Sequence, residues 1–128
     1  MTISGLPAGM LSIDAATTQL EPWTLAPEQV VEGDPQTSGI VLWQSEDKQI
    51  GCGMWECTPG AFSWEYTWDE TIYVIEGRAS IVDKDGAQID LFPGAILFFR
   101  SGMGATWTVT EKIRKVFHFH SDQGPVEF

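Results

Sequence analysis

From residue 40 to residue 120 the chain is a succession of short runs rich in β-branched and aromatic residues, separated by turn residues. This punctuation constrains the fold more than any other feature. The runs cover residues 40–44, 50–57, 61–68, 71–75, 79–82, 87–92, 95–100, 105–110 and 113–120. Their spacing is that of an all-β sandwich or barrel. Pro59-Gly60 and Pro93-Gly94 are breaks, and Glu76-Gly77-Arg78 reads as a tight turn between two strands. Asp83-Lys84-Asp85-Gly86 is the clearest hairpin turn. No segment sustains a 3.6-residue period. So many short strands in one small domain must dispose of their edges, and a jelly-roll barrel is one of the few compact ways to do so. An immunoglobulin-like sandwich competes on strand count. Cys52 and Cys57, however, are too close in sequence for its sheet-to-sheet disulfide. Their odd spacing also places them on opposite faces of one strand, so both read as reduced packing residues.

At 128 residues the chain is expected to form one domain. Residues 1–39, interrupted by Pro7, Pro22, Pro27 and Pro35, read as an irregular arm of that domain, with one strand near Trp23-Thr24-Leu25. Residues 40–128 read as the barrel. No apolar stretch approaches the roughly 18 residues of a membrane span. The N-terminus has no basic start followed by an apolar run, so a cytoplasmic location is expected. Seven basic against eighteen acidic residues give a net charge of -11, which repels nucleic acid and anionic membranes and disfavours multiply charged anionic substrates. The same charge also serves plain solubility.

The stretch from Pro59 through Trp64, Tyr66, Asp69-Glu70 and Val74 to Gly77 resembles the first motif of the cupins. In that motif two histidines one residue apart are followed by a glutamate and then a glycine. Counting back from Glu70 and Gly77, the two histidine positions fall on Trp64 and Tyr66. Pro93-Gly94-Ala95 through Arg100-Ser101-Gly102 resembles the second motif, with the third histidine position on Ala105 and Arg100 in place of the usual proline. Asp69-Glu70, Thr106-Trp107 and Arg114-Lys115 are similar to features of small single-domain cupins related to the cupin domain of ureidoglycine aminohydrolases. The resemblance covers roughly residues 50–119. It implies a cupin-type double-stranded β-helix, a jelly-roll barrel with an irregular N-terminal arm, and a homodimer. Proline punctuation in the arm and sheet edges that need cover favour a dimer independently.

Phe62, Trp64, Tyr66 and Trp68 share one parity, so a strand would project all four to one face. In a cupin that face points into the barrel, together with Glu70, Ala105 and Trp107. These rings either fill a packed core or wall a pocket for a small molecule. In the second case Trp64, Tyr66, Glu70 and Trp107 are the candidate ligand-binding residues. Indole has no free lone pair, alanine has no donor and neutral phenol is a poor ligand, so neither a metal at the usual place nor another cofactor is expected. His118 and His120 share a face with Val116. Turned inward they could join Glu70 in a rebuilt metal site. The preferred arrangement has them outside, with Phe117 and Phe119 packed within.

Glu70 is the candidate catalytic group, since a carboxylate among aromatic rings tends toward a raised pKa. Its structural alternative is an ion pair with Arg100 or Arg114. The leading functional reading is metal-independent binding of a small neutral or sugar-like metabolite. An enzyme of aminohydrolase, isomerase or lyase type working through Glu70, and a structural or regulatory cupin with a filled barrel, are the alternatives. Under the leading reading, Glu70→Gln should weaken ligand at least tenfold, about 1.4 kcal/mol, and cost less than that in stability.

Overall fold

The computed structural model describes residues 9–128. It is an antiparallel all-β fold of nine strands: β1 (Glu21–Pro22), β2 (Val30–Glu32), β3 (Thr37–Gln44), β4 (Ile50–Cys57), β5 (Gly60–Glu65), β6 (Asp69–Asp83), β7 (Gln88–Leu91), β8 (Ile96–Phe99) and β9 (Gly104–His120). Two long strands form the spine. β6 and β9 pair with each other along nearly their whole length. On its other edge β9 carries β5 beside its first half and β4 beside its second, while β6 carries β8 and then β7. β4 continues to β3 and β1, and β5 to β2. The sheet curls into the expected jelly-roll, and no helix among the described residues is long and apolar enough to cross a membrane.

The spine corrects two expectations. Residues 71–75 and 79–82 are one strand, as are 105–110 and 113–120. Glu76-Gly77-Arg78 is not a reversing turn. The pairing with β9 slips there, between Val74, Glu76, Arg78 and Ala79, and then resumes. Gly77 has φ of 90°, and a Cβ on it would stand 2.1 Å from the Lys112 carbonyl oxygen. Only glycine lets the two backbones pass so closely, and the resulting bulges bend the strand without ending it. The Asp83 turn is a hairpin as expected: Asp83 Oδ1 accepts from the backbone N–H groups of Asp85 and Ala87, and Gly86 takes positive φ.

The core follows from period-two alternation on the spine. Cross-strand rows place Phe99, Glu70 and Phe119 side by side, then Leu97, Ile72 and Phe117. Ile72, Phe119 and Trp107 are at most 2% exposed. Each large apolar side chain buried in this way contributes about 2 kcal/mol. His118 and His120 alternate with the inward phenylalanines and stand exposed on the outer face.

The arm departs from its expected form. Trp23-Thr24-Leu25 is not a strand; the pairing residues are Glu21 and Pro22, opposite Gly39 and Ser38. A 3-10 turn at Pro27–Gln29 and β2 follow. The outer face is clamped by Arg114, which donates to the carbonyls of Ala15 and Thr18 and pairs with Glu56 at 2.8 Å. The Trp23 backbone N–H donates to the Thr37 carbonyl, and the Thr37 hydroxyl donates to the Trp23 carbonyl. Gly39 makes room for the indole, since a Cβ there would meet it at 2.3 Å.

Candidate functional site

These constraints leave a cavity of about 370 Å³ inside the curled sheet. Five of the six tryptophans in the chain line it: Trp23, Trp55, Trp64, Trp68 and Trp107. The volume falls within the ordinary range for a small-molecule site, and so does the composition of apolar walls with a few polar groups. Of the residues expected at the site, Trp64, Tyr66, Glu70 and Trp107 all line it. Ala105 does not; it is buried in the core instead, opposite Trp64 on the neighbouring strand.

Register explains the walls. Phe62 on β5 lies opposite Trp107 on β9, and their rings stack at 5.8 Å and 15°. Trp55 on β4 lies opposite Lys115, and meets Trp107 edge-on at 5.5 Å. The Tyr66 ring lies flat on Phe99 at 4.6 Å and 7°, and its oxygen accepts from Trp107 Nε1 at 3.2 Å. At the far end Phe128 stacks on Trp23, 5.2 Å between centroids. The last residues are held there by backbone bonds, with the Val126 N–H donating to the Lys48 carbonyl and Gln44 Nε2 to the Val126 carbonyl.

The polar centre is a buried ion pair. Lys115 Nζ stands 2.9 Å from Glu70 Oε2, each side chain 7% exposed. Glu70 Oε1 accepts from Trp68 Nε1 at 2.9 Å. The ammonium also lies over the rings of Trp55 at 4.7 Å and Trp107 at 5.2 Å, where the π faces attract it. This corrects the sequence expectation in which Glu70 paired with Arg100 or Arg114. Arg114 points to the opposite face of β9, and Lys115, its neighbour, points in. The signal was present: Lys115 shares parity with Phe117 and Phe119, so placing those rings inside places the lysine inside as well. The pair also revises the expectation that Glu70→Gln spares stability. That change strands a buried ammonium without its counter-charge, and a larger cost follows.

The donor set does not suit a divalent ion. Beside Glu70 the lining offers Trp64 and Tyr66, an indole without a free lone pair and a neutral phenol, and both histidines stand on the outer face. The Glu70 carboxylate already accepts from Lys115 and Trp68. Among the described residues no three His, Cys, Asp or Glu side chains come together as a metal site.

Two acidic protons near the cavity are held tightly. Burial pushes the Cys57 thiol up to about 12, with Lys115 opposing weakly. Burial, and then the Glu70 carboxylate, push Tyr66 well above the usual phenol range. In the unfolded chain both groups ionise at their ordinary values, so above about pH 9 that chain releases a proton which the folded protein retains. Stability should therefore be full below pH 9 and fall as pH rises from about 9 to 12. Urea unfolding across that interval is expected to show the fall, and Cys57→Ala to make it shallower while the share of Tyr66 remains. An unchanged slope would remove Cys57 as its source.

Comparison with known proteins places the chain in a family. Residues 44–117 match the EutQ-like cupin domain. The chain belongs to that family. A curated relative, acetate kinase EutQ of Clostridioides difficile (strain 630), is 31% identical over 72 residues, covering 56% of this chain and 45% of that protein. The solved structure of EutQ from Clostridium difficile superposes with a TM-score of 0.61 at 27% identity, over 69% of this chain and 65% of that one. A protein of unknown function in the DUF861 family, from Pseudomonas syringae pv. tomato, superposes at 0.75 with 24% identity, over 84% of this chain and 46% of that one. At that identity the likeness is one of fold. This cupin spans less than half the length of the curated relative, whose kinase activity is named for the whole of that protein.

Proposed function

We propose that this cupin binds a small, uncharged or sugar-like metabolite in its tryptophan-walled cavity, without a metal ion. The observation that carries the reading is the Glu70–Lys115 pair. Two charges have been taken out of water and paired with each other at one end of a mostly apolar cavity. Burying such a pair costs more than an apolar packing solution would, so its place at a cavity wall favours a binding role over core filling. The pair is neutral as a unit and presents no uncompensated charge to a ligand, and the net charge of -11 disfavours anions, so a neutral ligand fits the cavity best. The ureidoglycine-aminohydrolase-like motif segments supply the scaffold of the site, with Trp64 and Tyr66 as its walls.

A thermal-shift screen of neutral metabolites on untagged, chelator-treated protein tests this. A ligand at 100 times its Kd should stabilise the fold by about 2.7 kcal/mol. Glu70→Gln, assayed at a temperature where it is folded, should bind that ligand at least tenfold more weakly, about 1.4 kcal/mol. Stabilisation seen only after a divalent ion is added would contradict the reading.

The assembly belongs to the same proposal. On the outer face, Ile96 on β8, Tyr73 on β6 and Val116 on β9 form one cross-strand row, and Phe98 stands beside it. Ile96 is 72%, Phe98 57% and Tyr73 48% exposed. This row carries no charge, so no like-charge pair is pressed together when two chains meet on it face to face as a two-fold dimer. Light scattering at micromolar concentration should return the dimer mass, and Ile96→Glu the monomer mass. A monomeric parent protein would end the proposal.

A further inference from the structure

The hydrogen-bond capacity of the cavity wall is lopsided. Both carboxylate oxygens of Glu70 already accept, one from Lys115 and one from Trp68. Lys115 spends one N–H on Glu70, and its ammonium lies against two indole faces. Tyr66 is the reverse case. Its oxygen accepts from Trp107, yet among the described residues its own O–H donates to no protein acceptor. Burial and the Glu70 charge keep that proton in place. The half-buried Trp23, Trp55 and Trp64, which also line the cavity, keep their indole N–H groups within reach of solvent. Tyr66 is 2% exposed, and a buried donor is costly to leave unmade, so a ligand seated against it must bring an acceptor.

We propose that the defining group of the ligand is a neutral carbonyl oxygen, which accepts from Tyr66 Oη while the body of the ligand lies against the tryptophan walls. This rests on the binding role above and narrows it. A carboxylate would compete with Glu70 for Lys115, the cation on the lining, in a chain of net charge -11. A polyol would bring several O–H donors to a mostly apolar wall on which both Glu70 oxygens already accept. A ketone, amide or ester brings an acceptor and no such burden. Tyr66 is then the residue that determines specificity, and Trp107 positions it by occupying its lone pair.

Cyclohexanone and methylenecyclohexane have the same shape and differ only in that acceptor, so they test the inference directly, with the indole N–H NMR signals of the full chain as the readout. Cyclohexanone is expected to bind about tenfold more tightly, the worth of one well-made hydrogen bond. In Tyr66→Phe the ratio should fall to about twofold or less, with the loss confined to cyclohexanone. The carbonyl carbon signal of cyclohexanone should move downfield on binding to the unaltered protein, a readout that needs no variant to fold. Equal affinities, or a carbonyl signal that does not move, would overturn the inference and leave the binding role standing. If neither compound perturbs the indole signals the inference also falls, and the metabolite screen alone then decides the binding role.

Discussion

Replacing Lys115 with methionine is expected to lower the unfolding free energy by about 3 kcal/mol or more. Methionine keeps much of the lysine stem and removes the ammonium. Glu70, 6% exposed, is then left with Trp68 Nε1 as its one donor and no counter-charge. The loss is the penalty for an uncompensated buried carboxylate, which exceeds what the pair contributes when intact. Glu70→Gln should show a comparable loss for the mirrored reason. Combining the two removes both charges, so the double variant should lose clearly less than the sum, by about 1 kcal/mol or more. Urea denaturation of the four proteins measures all of this. A loss near 0–1 kcal/mol for Lys115→Met, the value of a solvated pair, would show that water reaches the site.

Truncating Trp107 to alanine is expected to cost about 3–5 kcal/mol. The indole is 2% exposed, stacks on Phe62, meets Trp55 edge-on, donates to Tyr66 and lies under Lys115. One side chain thus joins β5, β4 and the polar centre. The variant should also lose ligand binding, because Tyr66 and Lys115 are both released. Trp43, 45% exposed on the outer side, is the internal control. Its truncation should cost less than about 1 kcal/mol. Similar losses at both tryptophans in chemical denaturation would mean that the cavity wall is no more tightly built than the surface.

Sequence pattern carried the strand inventory well, because period two and turn chemistry are local properties. It misread Gly77 for an equally local reason. A glycine between charged residues has the chemistry of a turn, and only the opposing β9 backbone shows that it serves a bulge. The four candidate ligand residues share a parity or a motif position, and that was enough to bring Trp64, Tyr66, Glu70 and Trp107 to one cavity. Lys115 was legible through its parity with Phe117, but two tryptophan faces and a carboxylate have to be assembled from three strands before an inward lysine becomes stable. Trp23 and Phe128 have no such local signal. They come to the cavity from the two ends of the chain, through backbone pairing with Thr37 and Lys48, and periodicity says nothing about contacts of that range.

Native mass spectrometry of the untagged protein, saturated with the best neutral compound from the screen, measures the central claim most directly. Spectra recorded before and after chelator treatment should both show one small organic molecule per chain and no divalent ion in stoichiometric amount. One tightly held ion per chain, with the organic molecule lost when that ion is stripped, would contradict a cavity that binds through Glu70, Lys115 and its tryptophan walls alone.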